Sequence, residues 1–259
     1  MRGVRLEDLT WPEAKAWFER GAPVIVPVGA ISKEHGHHLP LKTDYLYARE
    51  LSRRLAEVLP VVVAPIVSFG YYPAFVRFPG SQSLAAETFA ALLREILTKF
   101  MRDGVRNLAV LNTGVSTEPV LRILVRDLYE ETGVRVHTAD VRLLGRAKRG
   151  LARQLAGGHG DEVETSVVLA IDPAAVRMDL ARADYGHALS EPKTVFYTPT
   201  IFDLDPASGA DFSSTGVRGD PTLATAEKGE AILSEMAREL IAGLRALFPD
   251  VLGGDDAPA

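Results

Sequence analysis

The sequence predicts a three-layer α/β fold, a mainly parallel sheet covered by helices on both faces. Three observations carry this. Short β-branched runs alternate along the chain with amphipathic helical patterns. The spacing between successive runs suits right-handed crossovers. The unusual polar residues fall just after the runs, where folds of this class bind ligands, beyond the carboxyl ends of the strands.

The elements follow in order. Pro23–Ala30 (PVIVPVGA), Val61–Phe69 (VVVAPIVSF), Asn107–Thr113 (NLAVLNT) and Val134–Val141 (VRVHTADV) read as buried strands, apolar enough to be covered on both sides. Helical patterns lie between them. Asp44–Val58 follows a Thr-Asp start, Leu84–Arg102 stops before Gly104, and Glu118–Glu131 stops before Gly133. A last long helix is expected around Leu223–Leu247, after GDPT. No repeat or low-complexity linker divides the chain, so residues 1–252 are read as one domain and 253–259 (GGDDAPA) as a frayed tail.

The 259 residues can bury a full core, and a formal net charge of -5 argues against general nucleic-acid binding. There is no cysteine, which excludes disulfides, thiolate metal sites and a cysteine nucleophile. The opening MRGVRLEDLTWPEAKAWFERG lacks the apolar core of a signal peptide, and no segment approaches the roughly 20 apolar residues of a membrane span. A cytoplasmic protein with no membrane partner is expected.

Two stretches carry the chemistry. ISKEHGHHLPLKTD (Ile31–Asp44) follows the first strand and holds three of the six histidines. Imidazole with carboxylate suits zinc, manganese or iron, and Glu34, His35 and Asp44 can supply three ligands from one connection. Asp44 also stands at a helix start, where the dipole favours its charged form. The plainer alternative is an exposed polar loop with Asp44 as a cap. His37 and His38 cannot both join His35 on one ion, so at least one faces the substrate or backs a ligand. The second stretch, Gly157–Ala181, brings His159, Asp161, Glu162 and Glu164 ahead of an apolar helical run. In a regular helix Glu162 and Glu164 stand about 200° apart. Both serve one site only if the helix begins near Glu164; one would then bind metal while the other pairs with His159.

In combination these stretches resemble the creatininase (creatinine amidohydrolase) family. VPVGAISKEHGHHLPLKTD is similar to its Gly-x-x-Glu-x-His-Gly-x-His-Leu-Pro-x-x-Thr-Asp loop, and FPGSQSL (Phe78–Leu84) to its Phe-Pro-Gly-Thr segment. GHGDEVETS (Gly158–Ser166) resembles its His-Ala-Gly-Glu-x-Glu-Thr-Ser motif, and GDPTLATAEKG (Gly219–Gly229) its C-terminal signature. The matches run in family order along nearly the whole chain. The resemblance implies a layered α/β fold, one or two divalent ions (Zn, Mn or Fe), hydrolysis of a small amide, cyclic amide or formamide at its C–N bond, and a homo-oligomer, with a hexamer as one form. Creatinine, formamide-bearing nucleotide-pathway intermediates and a peptide precursor of a redox cofactor are substrates of different members. It implies metal-ligand roles for His35, Asp44 and Glu162, and a proton-transfer role for His159 with Glu164.

The chain departs from the pattern twice. Aligned on HG…HLP, the family's ligand glutamate falls on Lys33, with Glu34 one place later; a bulge would turn Glu34 inward, and without one Lys33 enters with its ammonium in place of a metal charge. Glu34 is taken as the ligand. The third strand ends LNTGVSTEP, with Gly114 where the family carries a histidine ligand. His137, on the next strand, is read as a strand-end residue. These departures keep a second function open beside the metal-dependent amidohydrolase: a non-catalytic, metal-free binding or assembly protein. FGYYPAFVRFPG (Phe69–Gly80) supplies Tyr71, Tyr72 and Arg77 as substrate-pocket candidates, with His37 beside them. RLLGRAKRGLARQ (Arg142–Gln154) is read as a solvated basic face.

Overall fold

A computed structural model describes residues 2–186, 195–208 and 211–253. Its strands are β1 (Val4–Arg5), β2 (Val24–Val28), β3 (Val62–Val63), β4 (Leu108–Asn112) and β5 (Val136–Asp140). They form one sheet in the order β1-β3-β2-β4-β5, and all four pairings are parallel. The helices are α1 (Trp11–Glu19), α2 (Thr43–Val58), α3 (Ala86–Arg102), α4 (Glu118–Thr132), α5 (Arg146–Arg149), α6 (Glu162–Ile171), α7 (Ala226–Leu247) and α8 (Pro249–Leu252).

Alternation along the central strands divides the interior into two cores. Ile25, Ala109 and Leu111 face a cluster built by Leu46, Leu51 and Leu55 of α2, Val167 and Val168 of α6, and Leu233 and Met236 of α7. Val24, Val26, Val28, Leu108 and Val110 face the other way, onto Phe89, Leu93 and Leu97 of α3 and Leu121, Leu124 and Leu128 of α4. A strand buried on both faces has no polar side to show, which is why these runs read as continuously apolar. The three layers expected from the sequence are present.

The second run contributes less strand than its composition suggests. Only Val62 and Val63 pair along it, because Pro65 has no N–H to donate, and the chain rejoins the sheet through a single bridge between Val28 and Val67. The N-terminal segment holds two elements that its mixed composition concealed. The two-residue β1 makes an edge, and α1 begins where the Thr10 N–H and hydroxyl both donate to Glu13, at 2.7 and 2.6 Å. Near the C-terminus, Pro221–Leu223 forms a separate turn, so the last long helix starts at Ala226 rather than Leu223. There α6 and α7 touch backbone to backbone: a Cβ at Gly229 would lie 1.8 Å from the Ser166 carbonyl oxygen. Among the described residues no helix is long and apolar enough to cross a membrane. The tail expected at 253–259 lies, from residue 254 onward, outside the described residues.

Candidate active site

The histidine-rich loop leaves the end of β2 and is braced from outside by the Phe78–Leu84 segment. The Ser32 hydroxyl donates to the Gly80 carbonyl at 2.6 Å, Gln82 N–H to the Ser32 carbonyl at 2.9 Å, and Glu34 N–H to the Ser81 hydroxyl at 3.0 Å. In this extended stretch neighbouring side chains point opposite ways. Lys33 and Glu34 are both buried, at 5% exposure each, and face different partners. The Lys33 ammonium lies 2.7 Å from Asp44 Oδ2. Glu34 Oε1 accepts from His159 Nε2 at 2.8 Å, and Glu34 Oε2 accepts from the Gly36 N–H. Room for that carboxylate comes from Gly216, in the left-handed region, where a Cβ would stand 2.2 Å from Glu34 Oε2.

Asp44 sits in the first turn of α2, fully enclosed. The His35 Nδ1 donates to the Lys33 carbonyl at 3.0 Å, and its Nε2 lies 3.0 Å from Asp44 Oδ1. Burial opposes the charged carboxylate, but Lys33 and His35 outweigh it by charge and hydrogen bonding, and hold Asp44 well below the usual carboxylate range. His38 hydrogen-bonds Thr165 Oγ1 on α6 at 2.8 Å; burial and the neighbouring His35 push its pKa down to about 4, so it joins loop to helix as a neutral imidazole.

His159 enters from the segment before α6. Its ring lies between His35 (centroids 4.7 Å apart) and Phe75 (4.2 Å), with Phe202 behind at 5.7 Å. Burial disfavours its charged form, yet the Glu34 carboxylate raises its pKa above the ordinary value; in return His159 helps hold Glu34 low against burial. His159 Nδ1 lies 3.9 Å from Glu164 Oε2, which itself accepts from the Gly160 N–H. The helix beneath begins at Glu162, because Asp161 caps it by accepting from the Val163 and Glu164 N–H groups, each at 2.9 Å. Helical geometry from that point sends Glu162 away from Glu164. Glu162 instead pairs with Lys228 of α7 and accepts from the Arg153 and Gln154 N–H groups.

A cavity of about 540 Å³ opens beside Asp44 and Glu164, lined also by Thr113, Val115, Arg142 and Gln154. It lies beyond the ends of β4 and β5, where a parallel sheet binds ligands. The turn after β4 is fastened internally: the Asn112 amide donates to the Gly114 carbonyl, and Asn112 Oδ1 accepts from Gly114 N–H and Thr117 Oγ1. A Cβ at Gly114 would stand 3.8 Å from Asp44 Oδ2. A side chain at that position would therefore reach the same oxygen that Lys33 approaches.

The structure thus brings Glu34, His35, Asp44, His159 and Glu164 together, and Lys33 with them. Glu162 is not in the group. Nor do the four pocket candidates line this cavity. His37 is exposed; Tyr71 packs on the core below α3; Tyr72 is buried with its hydroxyl accepting from Gly70 N–H; and Arg77 pairs with Asp203 at 3.0 Å. Phe75, in the same aromatic segment, is the residue that reaches the cluster. Phe202 lies in a stretch with no motif to mark it. His137 is a strand residue edge-on to Phe248.

His35, His159 and Glu164 can each bring one ligand atom within 4.8 Å of the others, so a His/Glu grouping exists. The set Glu34, His35, Asp44 and Glu162 does not fit an ion as arranged. Glu34 is turned onto His159, Glu162 onto Lys228, both oxygens of Asp44 are engaged, and an ammonium stands on one of them. In the trio, His35 Nε2 is held by Asp44 and His159 Nε2 by Glu34.

Comparison with known proteins matches residues 7–244 to the model of the Creatininase family, described as creatinine amidohydrolase. The creatinine amidohydrolase of Pseudomonas putida is 25% identical over 96% of this chain and 98% of its own length. The mycofactocin precursor peptide peptidase of Mycobacterium ulcerans (strain Agy99) is 30% identical over 93% of this chain and 87% of its own. Among solved structures, a creatininase variant of Zn-Zn type superposes with a TM-score of 0.79 at 26% identity, and a manganese creatininase with 0.79 at 25%; each comparison covers 95% of this chain and 99% of the other.

Proposed function

The chain belongs to the creatininase (creatinine amidohydrolase) family of hydrolases acting on carbon–nitrogen bonds, and from that premise we propose that it cleaves the C–N bond of a small amide, cyclic amide or formamide in the cavity beside Asp44 and Glu164. The observation that carries this is the position of Glu164, which lines the cavity with His159 Nδ1 3.9 Å behind it. Glu164 takes the proton of a water as its oxygen adds to the substrate carbonyl carbon. His159, fixed by Glu34, steadies the charge on that carboxylate. The tetrahedral carbon then collapses, the C–N bond breaks, and the proton held at Glu164 passes to the departing nitrogen, giving an acid and an amine. A cavity of about 540 Å³ suits a ligand of this size.

Metal dependence is an alternative form of the same activity. The His35–His159–Glu164 grouping and the Zn-Zn and manganese relatives support it. Glu164 and His159 can act without an ion, and the four-residue ligand set does not accommodate one as arranged. A homo-oligomer, up to a hexamer, and a cytoplasmic location belong to the same proposal. The exposed run Val195, Phe196 and Tyr197 supports the former, and sedimentation velocity measures it.

The test is turnover of a panel of creatinine, formamides and short peptides by the wild-type chain and by Glu164→Gln and His159→Gln. Turnover of at least one compound is expected, falling by about 10²-fold or more in Glu164→Gln. The second reading, a metal-free binding or assembly protein, is favoured by the Lys33–Asp44 pair. Calorimetric binding of an amide without turnover in any metal state would select it.

A further inference from the structure

We propose that Lys33 is the resident cation of this centre: its ammonium holds the charge position at Asp44 and closes it to divalent metal. The inference rests on reading the Asp44–Glu164 cluster as the working site. It concerns what neutralises that site, which is separate from whether the site turns an amide over.

Three observations converge. First, each oxygen of Asp44 already has a nitrogen close to it. Oδ2 lies 2.7 Å from Lys33 Nζ and Oδ1 lies 3.0 Å from His35 Nε2. A divalent ion bound to this carboxylate would sit about 2 Å from an oxygen, hence beside the ammonium, with like charges in contact inside a buried site. Second, the ammonium is built in. Lys33 is 5% exposed, its Nζ stands 4.9 Å above the face of Phe75, and the carbonyl of the same residue orients His35. Third, position 114, close to Asp44 Oδ2, carries no side chain. A Cβ at Gly114 would lie 3.8 Å from that oxygen, yet Gly114 has φ -106°, which any residue adopts. Backbone conformation does not require glycine there. Asp44 thus has an ammonium against it and no ligating side chain at position 114.

The test reverses both features. Lys33→Glu removes the ammonium and adds a carboxylate beside Asp44. Gly114→His adds an imidazole near Asp44 Oδ2, and its Cβ would press only on the Thr117 hydroxyl, 3.2 Å away. Metal content after equilibration with zinc or manganese and desalting, read by mass spectrometry, should be negligible for the wild type and about one ion per chain for the double variant. Thermal unfolding of the wild type, which needs no variant, should not move with chelator or zinc. A wild-type chain that retains an ion stoichiometrically and loses it in His35→Ala overturns the proposal. So does a folded double variant that still refuses metal. Amide turnover that persists in chelator agrees with both this inference and the proposed activity. Absence of turnover with no metal uptake sinks only the activity, and turnover that needs added metal sinks only this inference.

Discussion

Lys33 and Glu34 are neighbours in the chain and equally buried, and they build two different half-sites. On the Lys33 side, Asp44 is closed between an ammonium and an imidazole. On the Glu34 side, His159 is held by a carboxylate and leads to Glu164, whose side chain is one-quarter exposed at the cavity. One half is a buried ion pair that stabilises. The other has a group that can meet a ligand. Two adjacent residues of one loop, both buried, thus serve different partners: one brings a cation to Asp44, the other a carboxylate to His159.

The comparison breaks most sharply at Lys33. Lys33→Ala leaves Asp44 charged and short of its main partner in a buried site, and is expected to cost about 3–5 kcal/mol in urea unfolding. A cost below about 1 kcal/mol would mean that the pair is open to solvent. Glu162→Gln comes next. It weakens a buried contact with Lys228 and is expected to cost about 1.5–3 kcal/mol, while amide turnover stays within a few-fold of wild type. A variant of normal stability with no turnover would return Glu162 to the ligand set.

The two halves also separate by pH. His159 has a folded pKa raised above 6.5, so its contribution is complete below that value and is lost as pH rises through the folded pKa. Glu34 is depressed below 4.5, so its contribution is complete above that value and is lost as pH falls through the folded pKa. The Glu34–His159 half is therefore strongest between about pH 4.5 and 6.5. Asp44, depressed below 3.8, contributes at all pH values above that. The melting-point difference between wild type and His159→Gln should be larger at pH 6 than at pH 8.5; an equal difference would detach His159 from Glu34. The smallest effect is expected at Arg77, whose exposed guanidinium pairs with Asp203: Arg77→Ala should stay within about 1 kcal/mol of wild type and leave turnover unchanged.

Much of this was legible in the sequence. The strands around Val24–Val28 and Leu108–Asn112 announce themselves because both faces are apolar, and Gly133 marks the end of α4. β1 is too short for any pattern, and α1 buries no residue, so it leaves no apolar stripe. At the site, His35, Asp44, His159 and Glu164 follow from motif and strand-end position. The rotation of about 200° between Glu162 and Glu164 already barred them from one site in a regular helix; Asp161 decides the matter by starting the helix at Glu162. The Lys33–Glu34 choice was not legible, since spacing alone leaves one residue of slack, and the outcome admits both side chains to the interior on different partners. Tyr72 and Phe75 share one aromatic segment, and only tertiary packing says that Phe75 meets His159 while Tyr72 turns back onto Gly70.

The central claim is that the open half-site does the chemistry while Lys33 supplies the fixed charge. It is tested most directly by amide turnover of the wild-type chain after exhaustive chelation, measured beside Glu164→Gln. Turnover is expected to survive chelation and to fall by about 10²-fold or more in the variant. Turnover that vanishes with chelator and returns with zinc or manganese would contradict it.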